Sequence, residues 1–158
     1  MRIGQGFDVH AFAPEGRSLV IGGVTISHDR GLSGHSDADV LSHAVADALL
    51  GAARLGDLGS NFPGDDRWKD SSSLSILEET ARMIGAAGYV IANVDASVIA
   101  ETPRMAPYRD EMASNIAAAL GIDEHLVSVK ATTTDGLGAI GRGEGIAALA
   151  VVLLNNSA

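Results

Sequence analysis

Strands and helices in the order βββ-α-α-β-α-β-β predict an α+β protein, a mixed β-sheet with helices packed on one face. Three observations carry that prediction. Short runs rich in β-branched residues stand at both ends of the chain, apolar residues at helical spacing fill three stretches between them, and glycines mark most of the boundaries. The chain has 158 residues, enough for one domain with a real core and few for two, so residues 1–158 are expected to form a single domain. No internal repeat, linker or low-complexity tract divides it.

The first element, residues 2–12, reads as a strand interrupted by Gly4 and Gly6. "SLVIGGVTI" (18–26) reads as two short strands around a Gly-Gly turn. A loop rich in Gly, Ser and His follows at 29–39. Then Val40, Ala44, Ala48 and Ala52 recur on one side of a helix that Ser36 or Asp37 would cap and that should end near Gly56. Residues 57–73 lack periodicity and are expected to be a loop. A second helix, capped by Ser72 or Ser73, ends at Gly88, and "YVIANVDASVIA" (89–100) is a long strand whose imperfect alternation is expected if both faces are partly covered. The chain turns through Pro103 and Pro107 into a third helix ending at Gly121. A strand at 126–134 runs into the loop "DGLGAIGRGEG", and a last strand spans 146–154.

Composition narrows the function. Apolar residues make up 46% and aromatics only 4%, so the core must be built from Ala, Val, Ile and Leu. A mean hydropathy of +0.19 suggests that some apolar surface is covered by another subunit. A net charge of −9 argues against nucleic acid as a partner, because that needs a basic footprint. A phosphorylated small molecule would have to be held by metal ions, backbone N–H groups and one or two placed Lys or Arg. Without cysteine there is no disulfide, thiolate metal site or sulfur redox chemistry. The start lacks a signal-peptide pattern and the longest apolar run, 146–154, is too short to span a bilayer, so no membrane and a soluble cytoplasmic protein are expected.

Five clusters could carry chemistry. Asp8 and His10 are two apart on a strand, so both side chains face one way and can meet one ion. Zinc accepts His nitrogen and carboxylate oxygen and leaves a fourth position open in catalytic sites. The third ligand would be His28, His35, His43 or His125. His43 has Asp39 and Asp47 four residues to either side, where they could orient its ring. Against this, D-x-H pairs arise by chance, and a helical histidine is ordinarily polar packing. In "GHSDAD" (34–39), His35 and Ser36 precede a helix N-terminus that attracts anions, although Ser36 and Asp37 also read simply as caps. "KATTTDG" (130–136) places three hydroxyls at a strand end, where ligands commonly bind, but Thr is also a good strand residue. "GRGEG" (141–145) surrounds Arg142 and Glu144 with glycines and matches no phosphate-loop fingerprint. "DLGSNFPGDD" (57–66) offers three acids in a long loop. Together they suit a metal with hydroxyl and backbone donors around an anionic ligand, the setting of phosphoryl chemistry.

"RIGQGFDVHAF", "GLSGHSDADVLSHAVADALLGAARLGDLGSNFP", "NVDASVIAETPRMAPY" and "VKATTTDGLGAIGRGEGIA" closely resemble the family of 2-C-methyl-D-erythritol 2,4-cyclodiphosphate synthases, over residues 1 to about 154. The resemblance implies a lyase of non-mevalonate isoprenoid biosynthesis that acts on 4-diphosphocytidyl-2-C-methyl-D-erythritol 2-phosphate. The 2-phosphate of this nucleotide-linked sugar-alcohol phosphate attacks its own β-phosphate, and CMP leaves. It implies zinc on Asp8, His10 and His43, and a second ion, magnesium or manganese, held by Asp135. His35 and Thr133 would position and polarise the phosphates. The methylerythritol would bind near Ser36, Asp57, Gly59, Phe62 and Asp65 or Asp66. Cytidine and its phosphates would bind near Ala100, Pro103, Arg104, Met105 and Ala106, with Thr132 and Thr134. The family is a homotrimer with active sites between subunits, and Ala139 and Arg142 match residues of a central cavity proposed to take isoprenoid diphosphates.

Four positions depart from the family's common pattern. Asp135 stands where Glu is usual, one methylene shorter, so it would reach its ion directly or through water. Ala139 stands where an aromatic is frequent, Arg104 where Lys is frequent, and Gly64 loosens the "FPGDD" loop. Two rival readings use the same residues. A metal-dependent phosphoesterase would release free phosphate, and a non-catalytic binder of isoprenoid diphosphates would tolerate loss of His43.

Overall fold

The computed structural model describes residues 1–14, 16–34, 36–64 and 71–157. The strands are β1 (Arg2–Ala11), β2 (Leu19–Ile21), β3 (Val24–Ile26), β4 (Tyr89–Ile99), β5 (Val127–Thr132) and β6 (Gly145–Asn156). The helices are α1 (Val40–Ala53), α2 (Leu58–Asn61), α3 (Ser73–Ala86), α4 (Arg109–Leu120) and α5 (Gly138–Gly141), with single 3₁₀ turns before α4 and β5. Four strands form one mixed sheet in the order β1-β6-β4-β5. β4 and β5 run parallel, the other pairs antiparallel. β2 and β3 form a separate hairpin that turns at Gly22 and Gly23. The architecture is the predicted α+β one, with α1 on β1 and β6, α3 against β4 and α4 against β5.

Alternation along the strands separates the two faces. On β1, Gly4, Gly6, Asp8 and His10 face the helices, while Ile3, Phe7 and Val9 face outward. On β6, Ile146, Ala148, Ala150, Val152 and Leu154 are buried and Leu149 and Val151 are exposed. Leu41, Leu49, Leu50 and Leu77 fill the space beneath the sheet with no measurable exposure. Each such side chain stabilises the fold by about 1.5–3 kcal/mol relative to an exposed one.

β1 is not interrupted at its glycines. A Cβ on Gly4 would lie 1.9 Å from the carbonyl oxygen of Ala48, and one on Gly6 2.1 Å from that of Ala44. The missing side chains let the backbone of α1 rest on the backbone of β1, and the predicted stripe of small residues, Ala44, Ala48 and Ala52, is the face that touches it. This close approach brings α1 within reach of the polar half of β1.

Several boundaries differ from the sequence prediction, each for a physical reason. Asp39 caps α1, not Ser36 or Asp37, because its carboxylate accepts the N–H groups of Leu41 and Ser42 and also those of Gly22 and Gly23. The cap therefore ties the hairpin to the helix. α1 stops at Ala53, before Gly56, because Arg54 takes a left-handed conformation with φ of 61°. The predicted loop 57–73 contains α2, a single turn closed by a reciprocal cap between Asp57 and Ser60. Ser72 caps α3, which ends at Ala86. β5 ends at Thr132, so Thr133 and Thr134 lie beyond the ladder, and the predicted loop after them contains α5. None of the described helices is long and apolar enough to cross a membrane.

Candidate active site

Asp8 and His10 reach from alternate positions of β1 toward α1, and His43, in the first turn of α1, reaches back. Asp8 Oδ2 lies 2.9 Å from His10 Nε2 and 3.1 Å from His43 Nδ1, and the two nitrogens are 3.2 Å apart. Ligands around a tetrahedral ion with bonds of about 2.0–2.1 Å are separated by roughly 3.3 Å. The three atoms therefore stand at nearly the spacing of three corners of such a site. Among the described residues they form the one cluster of three His, Asp or Glu able to hold an ion, a triad consistent with a divalent metal.

The hydrogen bonds around the triad decide which atoms face it. His10 Nδ1 is 2.6 Å from the carbonyl oxygen of Ser33. A carbonyl only accepts, so Nδ1 carries the hydrogen and Nε2 presents a lone pair. His43 Nε2 is 3.0 Å from Ser73 Oγ and 3.1 Å from Ser36 Oγ. The Ser73 hydroxyl donates its one proton to Asp37 Oδ1, and Asp37 Oδ2 accepts the Ser73 N–H at 2.9 Å. Ser73 can then only accept from His43 Nε2–H, which leaves the His43 Nδ1 lone pair toward Asp8. In this arrangement two lone pairs and a carboxylate converge, a set of acceptors that suits a cation.

In the protein alone a proton plays that part. Burial by itself would raise the Asp8 carboxyl, but hydrogen bonds and charge from His10 and His43 hold it far below the usual carboxylate range. Burial by itself would lower His10, but its contact with Asp8 wins and raises it above 6.5. Asp39 and Asp47 do not orient His43. The Asp39 carboxylate is taken up by the hairpin and the start of α1, and Asp47 accepts the Leu58 N–H at 3.0 Å. Ser36 and Ser73 do that work instead.

A pocket of about 280 Å³ opens over the triad. Its floor is Asp8, His10, Ser36 and His43, and Leu58, Phe62, Pro63 and Ile76 supply apolar walls. Asp57 and Gly59 lie on the turn of α2 next to Leu58. The Asp57 carboxylate accepts the Ser60 N–H at 2.8 Å, which holds its pKa below the ordinary value. Arg17, unnoticed in the sequence, donates to the carbonyl oxygens of Gly34 and Ser36 and fixes the rim of the pocket. His35, Asp65 and Asp66 lie outside the described residues.

The remaining predicted residues gather where β4 and β5 end. A cavity of about 170 Å³ is lined by Ala100, Pro103, Arg104, Met105, Ala106, Thr132 and Thr133, joined by Glu101 and Ala131. Thr134 and Asp135 follow on the adjoining turn, where the Thr133 hydroxyl is 3.3 Å from Asp135 Oδ1. Ala139 is exposed on α5, and the exposed Arg142 pairs with Glu144 at 2.6 Å. The triad and this cavity share one end of the sheet, since His10 is opposite Ile146 and Ile99 opposite Ala147 on β6. They occupy its opposite edges, however, three strand spacings or roughly 14 Å apart. A larger cavity of about 480 Å³, between α4 and the start of β5, contains of the candidate residues only His125, which is away from Asp8 and His10 and is not the third ligand. Convergent donors, not volume, mark the site.

The sequence named the triad and the two rims but missed Ser73, Asp37 and Glu101 as partners. Ser73 stood out only as a helix cap, and nothing in its spacing points to a histidine thirty residues earlier.

The family model described as the YgbB family matches residues 1–155. The 2-C-methyl-D-erythritol 2,4-cyclodiphosphate synthase of Moorella thermoacetica is 63% identical over 98% of this chain and 94% of its own. That of Desulfatibacillum aliphaticivorans is 58% identical over 98% and 99%. Among solved structures, the bifunctional IspDF from Campylobacter jejuni matches with a TM-score of 0.93 at 44% identity, over 98% of this chain and 42% of its own length. The Plasmodium falciparum IspF complex with CDP matches with a TM-score of 0.86 at 35% identity, over 99% of this chain and 97% of its own.

Proposed function

This chain belongs to the YgbB family, and from that premise we propose that it is a cyclodiphosphate synthase. It converts 4-diphosphocytidyl-2-C-methyl-D-erythritol 2-phosphate to 2-C-methyl-D-erythritol 2,4-cyclodiphosphate and CMP, in cytoplasmic isoprenoid precursor synthesis. The observation that carries the reading is the acceptor triad Asp8, His10 and His43, with edges of 2.9–3.2 Å, on the floor of a pocket walled by Phe62 and Leu58.

Asp8, His10 and His43 would hold zinc and Asp135 a magnesium or manganese ion. These ions supply positive charge that offsets repulsion between the phosphates. The nucleophile belongs to the substrate, which fits a chain without cysteine. What the chain contributes is placement, the larger part of an intramolecular barrier. Ser36, Asp57, Gly59, Phe62 and Asp65 or Asp66 hold the methylerythritol, and His35 and Thr133 orient its phosphates. The cavity of Ala100, Pro103, Arg104, Met105 and Ala106, with Thr132 and Thr134, takes the cytidine phosphate, a role supported by the CDP complex of the Plasmodium relative.

The opposite-edge placement of the two rims supports a closed homotrimer. A head-to-tail ring sets the β1 edge of one copy against the β5 edge of the next and completes each site between subunits. In that ring Ala139 and Arg142 border a central cavity open to an isoprenoid diphosphate.

Phosphorus NMR of the reaction tests the proposal. Equal amounts of CMP and cyclic diphosphate, lost on chelation, are expected; intact substrate in every metal condition overturns it. His43→Ala should abolish turnover and leave a folded assembly, and retained activity would sink the zinc assignment.

A further inference from the structure

Glu101 stands where β4 and β5 part. Up to this point the strands are laddered, ending with the Ala100 N–H donating to the Thr132 carbonyl at 3.0 Å. Beyond it the chain after β4 builds the cavity of residues 100–106, while the chain after β5 turns through Thr134, Asp135 and Gly136. Glu101 Oε1 alone accepts the Thr134 N–H at 2.9 Å and the Gly136 N–H at 3.3 Å, and it lies 3.0 Å from the Thr134 hydroxyl, whose one proton it shares with the Leu137 carbonyl oxygen at 2.7 Å. The residue between those two N–H groups is Asp135, whose φ of 53° is a left-handed conformation that a side chain disfavours. The N–H groups of Thr134 and Gly136 hold the Glu101 carboxyl below its ordinary value, so it is ionised and purely an acceptor.

We propose that Glu101 is a positioning residue that fixes the Asp135 turn against the nucleotide cavity, so that the nucleotide and the second divalent ion bind cooperatively. The inference rests on the proposed function, which places the ion at Asp135 and the nucleotide at residues 100–106. Both ligands meet elements that one carboxylate oxygen holds together. Ordering either element therefore lowers the cost of ordering the other, and the coupling is reciprocal.

The test measures CMP binding to the zinc-loaded, full-length protein with and without Mn²⁺, and Mn²⁺ binding by electron paramagnetic resonance with and without CMP. In the unmodified protein each ligand should tighten the other by roughly 5- to 50-fold. Glu101→Ala should bring that factor to about one, lowering kcat more than it raises KM and leaving zinc content unchanged. Glu101→Gln, which keeps an acceptor oxygen at the same reach, should restore most of the coupling. A purely structural residue would shift stability without moving the coupling factor. Asp135→Asn separates the two readings. If it abolishes the Mn²⁺ effect while Glu101→Ala leaves coupling intact, the role of Glu101 is overturned and the proposed function stands. If Asp135→Asn leaves the Mn²⁺ effect intact, the ion does not sit on this turn, and the role of Glu101 falls with the placement of the second ion while the synthase reading stands.

Discussion

Ser73 holds one proton, and the place of that proton decides how His43 behaves. Because it goes to Asp37, the hydroxyl accepts from His43 Nε2 and Nδ1 is left to bind. Ser73→Ala should weaken zinc binding about 10- to 100-fold in chelator competition, with little change in thermal midpoint, and Ser73→Thr should hold the native affinity. Protons also compete with the ion directly. His10 is raised in the folded protein, so in the absence of metal its pairing stabilises the fold fully below 6.5 and fades as pH rises through the elevated value. Asp8 is depressed, so its share is present above 3.8 and is lost only in strong acid. Zinc must displace the His10 proton. Zinc affinity should therefore fall between pH 7 and pH 5.5, with about one proton released per ion near pH 6. Calorimetry in buffers of different ionisation enthalpy reads that proton, and a pH-independent affinity would contradict the assignment. Asp8 and His10 were legible from the period of a strand alone. The choice of His43 over the other histidines came from family resemblance, and Ser73 and Glu101 could not be read at all, because their partners are set by packing between distant segments.

The long elements were legible, and so were the three-residue strands β2 and β3, because a Gly-Gly turn marks their hairpin; the one-turn helices were not. α2 and α5 each have four residues, barely one helical period, and their sequences are dominated by turn residues. The cap of α1 was expected at Ser36 or Asp37, and the bonds from the hairpin glycines to Asp39 are what place it further along, on that residue. The glycines of β1 were read with the wrong sign, as breaks, because their role depends on a helix forty residues away. Gly6→Ala tests that contact. Its new methyl group meets the backbone of Ala44, which cannot rotate aside, so α1 must move away from β1. The expected result is a folded protein with zinc affinity reduced by roughly tenfold or more and a lower melting temperature. Gly51→Ala, where a Cβ meets no atom within 4 Å, is the control and should leave zinc affinity unchanged without lowering the melting temperature, since alanine favours the helix.

At the scale of the molecule, the outer face of the sheet is its least explained surface as a single chain. Ile3 is 72% exposed, Phe7 53% and Val151 47%, and Phe7 lies opposite Leu149 in the ladder, so the apolar side chains are contiguous. A positive mean hydropathy hinted at such a surface, but only the register shows that it is one face. In the proposed trimer this face lines the assembly. Phe7→Asp combined with Val151→Asp should give monomers in sedimentation velocity and abolish turnover, with zinc affinity within about threefold of native, since both side chains point away from the triad. An intact, active trimer would refute the assembly. The strand order carries a further consequence, for the time at which the protein becomes functional. β1, made first, pairs only with β6, made last, over ten residues from Arg2↔Leu154 to Ala11↔Gly145. A nascent chain on the ribosome thus holds Asp8 and His10 on a strand without its ladder partner, and the sheet cannot close until β6 has been made. The ion-binding triad becomes rigid in one late step, so an unfinished chain has no formed cage with which to take up metal.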